Sequence, residues 1–184
     1  MRILMIGNSF TFYHDIPRQI AAITGAEVHS VTRGGAAFSD SLKPEDELHD
    51  RVNAALQNGP WDYVVLQEQS SRPVLEKEIY LECAAIMCRK VRQVGAVPVI
   101  YGTWAYREGS EKLQKTGLTY EEMAQGLRAS HMQAAKDNDA LFADVGSVFT
   151  ALRDIVPVYE DDDFHPAPAG AVASAFTLAK TMLG

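Results

Sequence analysis

Short apolar segments alternate along the chain with longer segments whose apolar residues recur at helical spacing. In the middle of the chain the short segments are rich in Val, Ile and Tyr, which is typical of strands buried on both faces of a parallel sheet. We predict five strands: Ile3–Ile6, Val28–Thr32, Tyr63–Gln67, Val97–Tyr101 and Leu141–Asp144.

Five amphipathic helices are predicted between and after these strands. Their predicted ranges are 15–24, 44–57, 75–94, 120–137 and 167–183. Asp15 is expected to cap the first helix and Gly25 to end it. Thr119 and Glu122 have the spacing of a capping box, which predicts the start of the fourth helix.

The alternation of strands and helices predicts an α/β fold, with helices on both faces of a parallel sheet. Right-handed crossover connections leave few topologies. We predict a three-layer α/β/α sandwich whose five-stranded parallel sheet has the flavodoxin-like strand order 2-1-3-4-5. The chain has 184 residues and shows neither an internal repeat nor a linker, so residues 1–184 are predicted to form a single domain.

One connection, residues 102–119, is polar, charged and longer than most connections in compact domains. It follows the fourth predicted strand, at the edge of the sheet where ligands bind in this architecture. Trp104 and Tyr106 lie in this segment, and Tyr13 and His14 follow the first strand. These aromatic residues are expected either to rim a binding site or to cover the edge of the core.

The chain is acidic, with 24 Asp and Glu residues against 17 Lys and Arg residues and a formal net charge of -7. Because such a chain repels phosphate backbones and anionic lipids, we expect no nucleic-acid and no membrane partner. No apolar stretch reaches the ~20 residues of a spanning helix. Because the N-terminus runs directly into the first predicted strand, we expect no signal peptide. Cys83 and Cys88 give no disulfide framework. We therefore predict a cytoplasmic protein with reduced thiols.

The first predicted strand ends in Gly7-Asn8-Ser9. Gly7 permits a sharp turn, and Ser9 then stands at the carboxyl end of the strand, facing the crevice of the sheet. This is a suitable position for a nucleophile. A serine that only caps a turn is the alternative interpretation, since many serines after strands have that role.

Near the other end of the chain, Asp162 and His165 are three residues apart and immediately precede the last predicted helix. A histidine that acts as a general base needs a carboxylate on its far nitrogen, and one short turn supplies both groups. The alternative is an acidic helix N-terminus, which the helix dipole favours. That alternative accounts for Asp161 and Asp163 but not for the His-Pro pair that follows them.

Together these two blocks make the chain resemble the SGNH (GDSL-like) hydrolase superfamily, in which G-[DN]-S follows the first strand and D-x-x-H-P precedes the last helix. The resemblance spans nearly the whole chain. It implies a catalytic triad of Ser9, His165 and Asp162, without a metal or another cofactor. The consecutive acids 160–163 cannot converge well on one calcium ion, so the residues themselves give no metal site either.

The resemblance also implies an oxyanion hole, formed by the backbone N–H groups of Ser9 and of a glycine after the second strand. That glycine is Gly35, with Gly34 as the alternative. The family usually has G-x-N-D after its third strand, and this chain departs from that pattern because it has no asparagine there. Gln69 replaces it by position, with Gln67 as the alternative, since a Gln amide donates the same hydrogen bond.

The implied activity is hydrolysis of small acyl esters, acetyl or other short acyl groups on carbohydrates among them, through an acyl-enzyme. Three alternatives remain open at this point. The hydroxyl groups after the first strand suit a flavodoxin-like binding protein, the missing asparagine suits a catalytically silent protein that binds a sugar or another ligand, and the same scaffold supports an acyltransferase.

Overall fold

A computed structural model describes all 184 residues of the chain. Its strands are β1 (Arg2–Gly7), β2 (Glu27–Thr32), β3 (Tyr63–Leu66), β4 (Val97–Gly102) and β5 (Leu141–Asp144). They form one sheet in the order β2-β1-β3-β4-β5, with every neighbouring pair parallel. The predicted fold class, including the strand order, is therefore confirmed.

Ten α-helices surround the sheet: α1 (Ser9–Phe12), α2 (Ile16–Thr24), α3 (Phe38–Leu42), α4 (Glu47–Gln57), α5 (Arg72–Leu75), α6 (Lys77–Gln93), α7 (Glu111–Gln114), α8 (Tyr120–Asp137), α9 (Val145–Leu152) and α10 (Pro168–Leu183). A single 3-10 turn, Tyr13–Asp15, joins α1 to α2. None of the helices combines the length and the apolar character that a membrane span requires.

The helices divide the apolar residues into two cores, one on each face of the sheet. Side chains of α2, α9 and α10 and the first half of α8 pack on one face, in a cluster of 24 buried residues. Side chains of α3, α4 and α6 and the end of α8 pack on the other face, in a cluster of 19 buried residues. Because successive residues of a strand point to opposite faces, the continuous apolar strands supply both cores.

The predicted helix boundaries agree with the structure in some places and differ in others. The capping box of Thr119 and Glu122 is confirmed at the start of α8. The prediction that Asp15 caps α2 is wrong, because Asp15 has a left-handed backbone (φ 52°) and its side chain accepts no capping hydrogen bond. The helix predicted over 44–57 begins in the structure three residues further on, at Glu47, and the Asp46 side chain caps it. The helix predicted over 75–94 corresponds to α6, which begins two residues later, at Lys77, because Leu75 ends the separate short helix α5.

Candidate active site

A cavity of about 440 Å³ opens at the carboxyl ends of β1, β2 and β3, which lie side by side in the sheet. This is the edge at which parallel α/β sheets bind ligands, and the volume is in the range of small-molecule sites. The cavity is lined by Asn8, Ser9, Phe10, Phe12, Tyr13, Gly34, Gly35, Gln69, Ser70, Lys112, Phe164 and His165.

Ser9 is the first residue of α1, directly after the end of β1. The side-chain oxygen of Asn8 accepts from the N–H of Phe10 at 3.1 Å and so caps this short helix. Gly7 is required here because of a close approach, and not only for the turn. A Cβ atom at position 7 would lie 2.5 Å from the Thr11 hydroxyl oxygen and 2.6 Å from the Gln67 side-chain oxygen.

Buried amide side chains fix the loop that carries Ser9 to its neighbours. The Asn8 N–H donates to the Gln67 side-chain oxygen at 2.8 Å, and the Thr11 hydroxyl donates to the same oxygen at 3.0 Å. The Asn8 side-chain amide donates to the carbonyl oxygen of Ala36 at 2.9 Å. Gln67 is thus buried beneath the loop, while Gln69 lines the cavity. Of the two glutamines considered for the oxyanion hole, the geometry favours Gln69.

His165 and Asp162 form a hydrogen-bonded pair, with 2.5 Å between His165 Nδ1 and Asp162 Oδ2. The other Asp162 oxygen accepts from the backbone N–H groups of His165 (3.0 Å) and Phe164 (3.2 Å). Burial by itself would raise the pKa of the Asp162 carboxyl group, but these hydrogen bonds outweigh burial and hold that pKa below its usual value. Since an ionised carboxylate only accepts, Nδ1 carries the ring proton and Nε2 is left as the basic nitrogen.

The His165 ring is held between aromatic side chains. Tyr13 stacks on it almost in parallel, with 3.9 Å between ring centroids and 3° between planes, and Phe164 lies at 4.0 Å. The ring is only 12% exposed, and its Nε2 is buried without a hydrogen-bond partner. The Ser9 hydroxyl, which lines the same cavity, is therefore not bonded to Nε2 in this conformation. Such bonds are often loose before substrate binds.

The other acids of the 160–163 segment diverge to separate partners. Glu160 lies 2.5 Å from Nε2 of His14, and Asp163 forms a 3.2 Å ion pair with Arg107. The backbone of Arg107 also donates to the carbonyl oxygen of Asp163, at 2.8 Å. These contacts hold the loop that carries Asp162 against two other segments of the chain.

Several backbone N–H groups at the cavity have no acceptor within the protein. The N–H of Ser9 lies in the first turn of α1, where helical N–H groups have no intrahelical acceptor. The N–H groups of Gly34 and Gly35 donate to no protein atom. Gly35 has a left-handed backbone (φ 68°), a conformation that favours glycine, and both glycines line the cavity.

The side chain of Gln69 is oriented by its own carbonyl oxygen. That oxygen accepts from the N–H groups of Ser71 (2.9 Å) and Arg72 (3.1 Å) at the start of α5. The amide nitrogen has a single polar contact, to the Ser70 hydroxyl at 3.5 Å, which is longer than an ordinary N–H···O hydrogen bond. The carbonyl end is therefore anchored, and the N–H₂ end remains available to an acceptor in the cavity.

Glu68 is a buried acid beside this donor. Its carboxyl group is 2% exposed and accepts from the N–H groups of Gln69 (2.6 Å) and Phe38 (3.1 Å). Burial raises the pKa of Glu68 to about 7, although the two N–H donors and Arg72 act in the opposite direction. Glu68 connects the loop after β3 to the start of α3, and thereby supports the position of Gln69.

The aromatic residues considered as rim residues have different locations. Trp104 is fully buried and stacks between Phe10 (4.5 Å, 3°) and Phe149 (3.8 Å, 5°). Its indole N–H donates to the carbonyl oxygen of Phe164 at 3.0 Å. Tyr106 is buried as well, so these two residues belong to the core. Tyr13 lines the cavity.

Three supporting residues were not identified from the sequence. Asn8 belongs to the G-N-S block, but only its burial reveals that it joins three loops. Glu68 stands beside Gln69, and an acid directly after an apolar strand was the available signal for it. Lys112 comes from the long connection after β4, and no sequence signal places it in the cavity.

Comparison with known proteins agrees with this geometry. No protein-family model and no functionally curated protein matches the chain. Among solved structures, a candidate SGNH hydrolase from Slackia heliotrinireducens is 41% identical, with a TM-score of 0.94 over 99% of this chain and 98% of that one. Two more distant structures share the fold. One is a DUF4886 family protein from Bacteroides uniformis, with 15% identity and a TM-score of 0.77 over 99% of this chain and 82% of that one. The other is an acetylxylan esterase from Geobacillus stearothermophilus, with 16% identity and a TM-score of 0.71 over 98% of this chain and 93% of that one. Since the first relationship joins substantial identity to nearly complete coverage, the chain belongs to the SGNH hydrolase superfamily.

Proposed function

We propose that this protein is a serine esterase that hydrolyses small acyl esters through an acyl-enzyme on Ser9. One observation carries the proposal. The hydrogen-bonded pair of Asp162 and His165 opens on the same cavity as Ser9, with the basic nitrogen of His165 unpaired. A nucleophile, a base and a group that orients the base are the three parts that acyl transfer requires.

In the proposed mechanism His165 Nε2 removes the proton of the Ser9 hydroxyl while Oγ attacks the ester carbonyl carbon. The negative charge that develops on the carbonyl oxygen is stabilised by the N–H groups of Ser9 and Gly35 and by the Gln69 amide. The tetrahedral intermediate then collapses, and the leaving alcohol takes the proton from His165. Water repeats the sequence on the acyl-enzyme, with His165 again acting as base. Asp162 keeps the proton on Nδ1 throughout.

The proposed substrates are acetyl or other short acyl esters, including those of carbohydrates. The cavity volume of about 440 Å³ suits a small ester, and the aromatic rings of Phe12, Tyr13 and Phe164 line it. Aromatic faces of this kind pack well against the apolar faces of sugar rings. The acetylxylan esterase activity named for the Geobacillus stearothermophilus protein supports the same class, although that protein shares only 16% identity with this chain.

Gln69 replaces the asparagine of the usual family pattern in this mechanism. Its anchored carbonyl oxygen supports the role, because the amide nitrogen must then face away from α5. Removal of one oxyanion donor typically costs ~10²–10³-fold in turnover. We therefore expect Gln69→Ala to lower kcat by that range, and Gln67→Ala to lower the melting temperature because Gln67 is a buried support of the nucleophile loop.

The direct test combines p-nitrophenyl acetate hydrolysis with labelling by a fluorophosphonate, whose site is mapped by mass spectrometry. Ser9→Ala is expected to abolish labelling, and His165→Ala is expected to lower both labelling and turnover by at least ~10³-fold. Ser30→Ala and His49→Ala are matched controls, since neither residue lines the cavity.

Labelling of another serine, or full turnover by folded Ser9→Ala protein, would overturn the proposal. Absence of both turnover and labelling in the wild type would instead favour the silent ligand-binding alternative. An added acceptor alcohol distinguishes hydrolase from acyltransferase, because a transferase forms the new ester in preference to free acid.

A further inference from the structure

One permanent charge reaches the cavity, and it belongs to Lys112 on α7. The side-chain oxygen of Ser110 caps this short helix by accepting from the N–H of Leu113 at 3.1 Å. Leu113 is buried in the core on that face of the sheet, which fixes the rotation of α7. Lys112 is half-buried and extends along the cavity wall.

The ammonium group of Lys112 has no anionic partner within the protein. Its Nζ lies 3.1 Å from the centroid of the Phe164 ring and 5.2 Å from that of Tyr106, and it forms neither a salt bridge nor a hydrogen bond. Lys115, at the end of the same helix, instead pairs with Glu111 at 2.9 Å. Other lysines, such as Lys136 and Lys180, also lack a salt bridge, but Lys112 is the lysine that lines this cavity.

The rest of the cavity wall would not repel an anion. No Asp or Glu is among its twelve lining residues. Asp162 is the acid that attracts Lys112, and its two oxygens already accept from His165 and Phe164. Burial lowers the pKa of Lys112, and the charge of Asp162 opposes this effect. Because Asp162 pairs with His165 and forms no salt bridge with Lys112, an anionic ligand group in the cavity would be the first direct ion-pair partner of the ammonium group.

We propose that Lys112 forms an anion subsite, and that the preferred substrate is a short acyl ester whose alcohol part carries a carboxylate. The inference rests on the proposed esterase function. Lys112 packs on Phe164, the neighbour of His165, and His165 delivers the proton to the leaving alcohol. One ammonium group without a second cation matches the single charge of a carboxylate, whereas phosphate is usually held by several donors or by an Arg fork.

The experiment compares two acetyl esters, 4-acetoxyphenylacetate and 4-acetoxyphenylacetamide, whose leaving phenols differ only in that the para substituent ends in a carboxylate or in an uncharged amide. The readout is the ratio of their kcat/KM values, so each variant is compared with itself. We expect wild type to prefer the charged ester by about 5-fold, as an ion pair at a partly exposed site contributes up to ~1 kcal/mol. Lys112→Met keeps the packing on Phe164 and is expected to bring the ratio close to one, while Lys112→Glu inverts it.

Lys115→Met is the matched control, because it removes a lysine of the same segment that does not line the cavity, and it is expected to keep the wild-type ratio. A ratio that is equal in wild type and Lys112→Met would overturn the inference. A Lys112-dependent preference confined to an ester with the carboxylate in its acyl part, mono-4-nitrophenyl succinate, would overturn the assignment to the alcohol side. If wild type neither hydrolyses any of these esters nor labels at Ser9, the proposed function itself fails and the subsite with it.

Discussion

Replacement of Glu68 by glutamine is expected to change how the stability of the protein depends on pH. The carboxyl group is almost fully buried and accepts from two backbone N–H groups through the same oxygen, Oε1. A glutamine side chain has nearly the same shape and also offers one carbonyl oxygen to these donors. The substitution therefore keeps most of the packing and removes only the titration.

The magnitude follows from the raised pKa of Glu68, about 7 in the folded protein against an ordinary value of 4.5. Below pH 4.5 the group is protonated in both states, and well above pH 7 it is ionised in both. Between these limits the folded state binds the proton and the unfolded state does not, so stability falls as the pH rises. At about 1.4 kcal/mol per pKa unit, the loss amounts to about 3 kcal/mol.

The measurement is the free energy of unfolding in urea at several pH values from 4.5 to 8, for wild type and Glu68→Gln. Other titrating groups largely cancel in the difference between the two proteins. We expect Glu68→Gln to gain about 3 kcal/mol relative to wild type across this window. Glu82→Gln is the control, because Glu82 is exposed and forms no ion pair, and its difference from wild type is expected to stay within about 0.5 kcal/mol. A constant difference for Glu68→Gln would refute the reasoning.

Three further substitutions test the site and its support. Asp162→Asn is expected to lower kcat by about 10⁴-fold without unfolding the protein, because the amide favours the wrong tautomer of His165; kinetics together with circular dichroism check this. Gly7→Ala is expected to destabilise the protein by about 1–3 kcal/mol in thermal unfolding, because the new Cβ would lie 2.5 Å from the Thr11 hydroxyl oxygen. Gly34→Ala is the control, since a Cβ there meets no atom within 4 Å. Trp104→Ala is expected to cost about 3–5 kcal/mol in urea unfolding, and an unchanged midpoint would contradict its place in the core.

The sheet was predictable because buried parallel strands are continuous apolar segments, and such segments stand out from the helices around them. Val97 to Gly102 and Tyr63 to Leu66 illustrate this, since each differs from its predicted range by one residue. The handedness of the connections left few topologies, and the flavodoxin-like strand order was predicted from among them. The capping box of Thr119 and Glu122 was equally readable, since its contacts are local.

Short elements and buried polar contacts were not predictable in the same way. Helices α1, α3 and α7 have only four or five residues, which is too short to show a helical period. Gln67 and Gln69 are two positions apart on one loop. Alignment to the family pattern favoured Gln69, but the residue type does not separate the buried support from the cavity residue. That distinction depends on Gly7, whose missing side chain leaves the space that Gln67 fills.

Because Trp104 is buried in an aromatic stack beside the cavity, its fluorescence can report on the candidate site. Its indole ring touches Phe10, the neighbour of Ser9, and its N–H donates to the residue that precedes His165. The chain has only one other tryptophan, Trp61, which belongs to the core on the opposite face of the sheet. A Trp61→Phe protein would therefore carry a single tryptophan, located between the loops that carry Ser9 and His165. Its fluorescence spectrum would report directly whether those loops hold their packed arrangement as temperature, pH or ligand concentration changes.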